Sequence, residues 1–100
     1  MVKHVILWTL RDVYSGAQEE EIKQGIKEHL EGLKGKIPGL YDIKVITNGL
    51  ESSNADVMLD SMFESEEALK AYAVHPDHVA VANEFVRPFT ASRTCMDFEI

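Results

Sequence analysis

Both faces of the segment from Val2 to Leu10 are apolar, and few small folds accommodate such a segment. It is rich in β-forming residues, stops at Arg11-Asp12, and alternates His4, Ile6, Trp8 and Leu10 on one face with Val5, Leu7 and Thr9 on the other. A strand of this kind needs a cover on each side, a helix on one and a second sheet on the other. A chain of 100 residues cannot easily supply both covers, so self-association is expected.

The remaining segments fit that frame. Gln18 to Lys36 carries Ile22, Ile26, Leu30 and Leu33 at helical spacing, continued by Ile37 just beyond it, with Glu19, Glu20 and Glu21 in the first turn, where they complement the helix dipole. Pro38-Gly39 ends it. Leu40 to Thr47 alternates as a second strand, with Tyr41, Ile43, Val45 and Thr47 on one face. Ala55 to Phe63 forms a third, after a loop through Asn48-Gly49 and Asn54. Ser65 is an N-cap for a helix carrying Leu69 and Tyr72, Pro76 interrupts it, and Asp77 to Phe89 continues with helical periodicity. Ser92 to Ile100 closes the chain as a fourth strand.

The order β-α-β-β-α-β is that of the ferredoxin-like α+β fold, a four-stranded antiparallel sheet with helices on one face. Two such sheets paired through their bare faces would make a homodimeric α/β barrel. With no internal repeat or linker, residues 1–100 read as a single domain.

A net charge of −7 with no basic stripe excludes nucleic acid as partner. The apolar run after Lys3 is too short to span a membrane and lacks a small-residue cleavage site, so no membrane association is expected. Cys95 is the only cysteine, which rules out an intrachain disulfide and fits a reducing compartment, the cytoplasm.

Chemistry concentrates in Tyr72-Ala73-Val74-His75-Pro76-Asp77-His78. A histidine and a tyrosine hydroxyl beside an apolar pocket can do acid/base work. His75 and His78 would form a metal pair on a continuous helix, but Pro76 breaks that geometry and no third ligand is clustered nearby, so no metal and no cofactor are assigned. Preceding a proline, His75 suits a structural role in the turn. His78 reads either as a histidine bonded to a backbone carbonyl or as an acid/base group. His4 is either a satisfied core residue or a partner of His78 across a shared pocket, and Tyr72 either a core aromatic with a bonded hydroxyl or an orienting group. Asp60 falls on the face expected to meet the partner sheet, where Arg93 is a candidate cross-barrel partner. Cys95 is expected to be half-buried and has no assigned role.

Lys3-His4-Val5-Ile6-Leu7, Ile37-Pro38-Gly39, Phe63-Glu64-Ser65, the Tyr72 to His78 segment and a last strand ending in Asp97 together resemble the stress-responsive dimeric α/β-barrel family, Dabb. The resemblance implies a homodimer with the sheets in a central barrel and the helices outside. By analogy with the family's polyketide-cyclising plant branch, it implies Tyr72 as a polarising hydroxyl and His78 as the general acid/base, with His4 nearby. The implied pocket has Ile6, Trp8, Ile26, Leu59, His75 and Val79 as candidate walls. That branch carries a further histidine where this chain has Val57, and Trp8 is large enough to fill space a substrate needs. Some plant members hold a divalent metal through backbone carbonyls near the position of Ile37-Pro38; no such site is assigned here.

Three functions are in play. The first is a cofactor-independent enzyme moving a proton on a small, hydrophobic or aromatic carbonyl substrate. The second is a non-enzymatic dimer that binds a hydrophobic ligand or serves a structural role under stress. The third, by fold analogy, is a dimeric-barrel monooxygenase, for which Trp8, Asn48 and His78 supply haem-pocket residue types.

Overall fold

The computed structural model describes all 100 residues. Strands β1 (Val2–Leu10), β2 (Leu40–Ile46), β3 (Val57–Phe63) and β4 (Thr90–Glu99) form one sheet in the order β2-β3-β1-β4, every neighbouring pair antiparallel. Helices α1 (Gly16–Glu31), α2 (Glu66–Val74) and α3 (Pro76–Val81) cover one face, and a π-helical turn over Ala82–Val86 continues α3. This is the expected ferredoxin-like architecture. The core, 17 buried apolar residues in a single cluster, lies between the sheet and those helices. No helix is long and apolar enough to cross a membrane.

Local chemistry sets the element boundaries. Helix α1 begins earlier than its apolar periodicity suggests because Ser15 and Gln18 form a capping box, the Ser15 hydroxyl accepting from the Gln18 N–H at 3.2 Å and the Gln18 side chain accepting from the Ser15 N–H at 2.9 Å. The helix also ends earlier, at Glu31, and Gly35 at φ 85° turns the chain toward β2. Gly39 is at φ 80°, and a Cβ there would lie 2.6 Å from the Ala68 Cβ, so the turn before β2 packs against α2 only because it is glycine.

In β2 the pairing shifts between Leu40 and Asp42, and this irregularity breaks the simple alternation. Ile43 and Val45 are buried, but Leu40, expected on the opposite face, is buried with them, whereas Tyr41, expected on the face of Ile43 and Val45, is exposed.

Strand β1 has the two faces its sequence implies. Val2, His4, Ile6, Trp8 and Leu10 are buried beneath the helices, whereas Leu7 on the opposite face is 39 % exposed. Met96 and Phe98 of β4 and Ile46 of β2 are also exposed. Asp60 lies on this bare face opposite Val5 and is ion-paired with Lys3 of the adjacent strand. Arg93 is not its partner: it is in register with Trp8, whose side chain lies on the helix side of the sheet, and it borders a cavity there.

Candidate functional site

A cavity of about 140 Å³ lies between the sheet and the helices. Its floor is made by His4, Ile6 and Trp8 of β1 and Leu59 of β3; Leu30, Leu69 and Tyr72 close it from above. Trp8 is part of that floor and leaves the space open. A volume of this size matches a single aromatic ring.

The α3 side of the cavity is built by helical spacing. His78, Ala82 and Val86 are four residues apart and all face it, the π turn keeping Ala82 and Val86 on the same side through the Arg87 N–H to Ala82 carbonyl bond of 2.8 Å. Val79 is rotated by about 100° from His78 and does not reach the cavity. Ile26 does not line it either, because it is fully buried one turn before Leu30, which does. His75 is also outside: it ends α2 and caps α3, its Nδ1 accepting from the Asp77 N–H at 3.1 Å. Of the expected pocket walls, Ile6, Trp8 and Leu59 therefore line the cavity, whereas Ile26, His75 and Val79 do not.

Tyr72 is 1 % exposed, and its hydroxyl has no hydrogen-bond partner in the protein. Burial raises its pKa, so the hydroxyl stays protonated across the physiological range and is available as a donor. The His78 ring lies 4.1 Å from the Tyr72 ring, centroid to centroid. Its Nδ1 is 3.3 Å from the Ala73 carbonyl, so that Nδ1 carries the proton and Nε2 is the basic nitrogen. Burial pushes the His78 pKa below the usual histidine value, with the Arg87 charge adding in the same direction against the pull of the Ala73 carbonyl.

His4 completes the group, 6.2 Å from Tyr72 between ring centroids and 7 % exposed. Ser61 donates to its backbone carbonyl at 2.8 Å. Its Nδ1 donates to Asp97 Oδ1 at 2.5 Å, and the Cys95 sulfur lies 3.7 Å from the same nitrogen. Cys95 is exposed rather than half-buried and lies 3.5 Å from Asp97 Oδ1. The sequence reading missed both neighbours of His4. The signal for them is the Cys-x-Asp alternation on β4, and it becomes informative only once the register sets Asp97 opposite His4 and Cys95 opposite Ile6.

Asn48 is exposed in the loop after β2 and does not line the cavity, so of the three residues expected of a haem pocket only Trp8 and His78 come together. A space the size of one aromatic ring does not admit a tetrapyrrole, and the residues present do not fit haem.

Residues 2–100 match the family model for the stress responsive A/B barrel domain, Dabb. The chain belongs to the Dabb family. No curated protein matches it. Among solved structures, it resembles a dimeric protein of unknown function with a ferredoxin-like fold from Bacteroides fragilis, at 32 % identity over 99 % of this chain and 95 % of that one, with a TM-score of 0.91. A similar fold is found in hydroxynitrile lyase from Passiflora edulis, at 17 % identity over 99 % and 92 % of the two chains and a TM-score of 0.74. It also recurs in the heme-degrader MhuD from Mycobacterium tuberculosis, which holds two hemes in its active site, at 16 % identity over 100 % and 95 % and a TM-score of 0.73. At such identities the likeness is one of fold alone.

Proposed function

We propose that this Dabb protein is a homodimeric, cofactor-independent enzyme that moves a proton on a small carbonyl compound. The observation that carries the reading is the Tyr72 hydroxyl, a buried donor without a protein partner, beside a half-buried neutral histidine in an open cavity. A carbonyl oxygen placed against Tyr72 receives a hydrogen bond as negative charge grows on it, while His78 Nε2 removes the proton from the adjacent acidic group. Arg87 and Arg93 also border the cavity and give its entrance positive charge in an otherwise acidic protein. They favour a substrate of about one ring that carries a carboxylate or phenolate. The hydroxynitrile lyase relative is consistent with acid/base chemistry on this fold and says nothing about substrate.

Dimerisation through the bare sheet face belongs to the same proposal. Leu7, Ile46, Met96 and Phe98 form an apolar surface that the chain itself does not cover, Lys3 neutralises Asp60 within it, and the Bacteroides fragilis relative is dimeric.

A panel of single-ring carboxylates, phenols and ketones tests the function. Chemical shift changes at Tyr72, His78 and Arg93 followed by turnover that His78→Ala abolishes would support it. Binding at those residues with no turnover of any panel member would favour the ligand-carrier reading instead.

A further inference from the structure

On the side of His4 facing Asp97, its Nδ1, the Cys95 sulfur and Asp97 Oδ1 come together at the wall of a second groove, open to solvent between α2 and β4. The register of β1 with β4 brings them there: Asp97 is opposite His4 and Cys95 opposite Ile6, and both side chains point to the helix side. We propose that His4 Nδ1, Cys95 Sγ and Asp97 Oδ1 are a three-ligand site for a borderline divalent cation of the zinc class, its fourth position open to this groove.

Geometry carries the proposal. A tetrahedral zinc-class ion with ordinary bond lengths holds its nitrogen and sulfur ligands about 3.6 Å apart, and its oxygen and sulfur ligands about 3.5 Å apart. The observed separations are 3.7 Å from Cys95 to His4 and 3.5 Å from Cys95 to Asp97. The third edge should be about 3.3 Å and is 2.5 Å, because a hydrogen occupies it in place of an ion. Asp97 lies on the edge strand with its side chain 45 % exposed, so a rotation of the carboxylate opens that edge without moving the buried ring.

The site is also pre-oriented. Phe63 and Tyr72 flank the His4 ring, each 6.2 Å away, and Ser61 anchors the backbone of the same residue. One rigid buried ligand with two adjustable ones lowers the ordering cost of coordination. A thiolate and a carboxylate together neutralise a divalent ion, and the sulfur selects against magnesium and calcium, which take oxygen ligands. Lys70 and Arg93 border the groove and favour water, hydroxide or a small anion at the open position. On coordination the Cys95 thiol proton leaves to solvent and the His4 proton moves from Nδ1 to Nε2. The ring thus turns its opposite nitrogen from acceptor to donor.

The test uses the full chain, reduced, titrated with Co²⁺ and with Zn²⁺. One Co²⁺ per chain should bind with a thiolate-to-cobalt charge-transfer band and intense four-coordinate ligand-field bands. Cys95→Ser should remove the charge-transfer band and weaken binding at least tenfold; Cys95 is exposed, so unfolding is not expected, and circular dichroism verifies it. Asp97→Asn should keep the charge-transfer band and weaken binding at least tenfold, whereas His29→Ala and His75→Ala should leave both unchanged. Zn²⁺ should slow alkylation of Cys95 by iodoacetamide at least tenfold. The absence of a thiolate band at saturating Co²⁺, unchanged alkylation under Zn²⁺, or unaltered binding in either Cys95→Ser or Asp97→Asn overturns the proposal.

Discussion

Replacing Tyr72 by Phe should stabilise the free protein and disable it. The ring packs 4.9 Å from Phe63 and 4.1 Å from His78, and Phe preserves those contacts while deleting only the hydroxyl. A buried hydroxyl without a partner costs about 1–3 kcal/mol. Its oxygen has almost no accessible surface, so water in the neighbouring cavity does not satisfy it, and Tyr72→Phe should gain about 1–3 kcal/mol, each kcal/mol being worth roughly 4–8 °C in Tm for a domain of this size. Thermal and urea unfolding at fixed protein concentration, which holds the dimer equilibrium constant, would measure it. Losing a donor aimed at a developing oxyanion costs on the order of 10²–10³ in kcat, so the same variant should lose activity by that factor. A destabilisation of more than about 1 kcal/mol would mean that the hydroxyl is satisfied in the folded protein, and the reading of Tyr72 as a free donor would be wrong.

Three further outcomes are expected. NMR titration should place His78 below the ordinary histidine pKa of about 6.5, so activity should rise with pH through the depressed value. Because the unfolded chain takes up that proton first, the contribution to stability is fully present above about 6.5 and is lost as pH falls through the folded-state pKa. Gly39→Ala should destabilise by about 2–5 kcal/mol in urea unfolding, from the positive φ and from overlap with Ala68; in an Ala68→Gly background, measured against Ala68→Gly alone, it should cost only the positive-φ part. Leu7→Glu should shift the protein to monomer in sedimentation velocity, raising the dimer Kd at least 100-fold, or about 2.7 kcal/mol, and a variant that stays dimeric would place the interface elsewhere.

The two-sided character of β1 made the fold legible, because strand alternation over Val2 to Leu10 is a local property that burial then follows residue by residue. Alternation misled in β2, where an irregularity near Tyr41 shifts the pattern and nothing in the local sequence marks it. The cavity was half legible. Ile6 and Trp8 follow from the face of β1 that carries His4, but choosing Leu30 over Ile26, or Ala82 over Val79, requires the rotation of each helix about its axis. Arg93 was set against Asp60 on charge alone, and only the β1–β4 register puts it on the helix side. That same register creates the His4, Cys95 and Asp97 cluster from residues more than ninety positions apart, a distance at which sequence carries no geometric signal.

Solvent-deuterium exchange tests most directly whether His78 and Tyr72 form an acid/base pair. The protein would be incubated in deuterium oxide, at a pH above the His78 pKa, with single-ring carbonyl compounds that bind the cavity and carry an acidic C–H, and the label followed by proton NMR. The account predicts exchange by the wild type at a rate that His78→Ala lowers at least 100-fold and Tyr72→Phe lowers comparably, with binding retained. Exchange that is equally fast in His78→Ala, or no exchange of any compound that occupies the cavity, would contradict it.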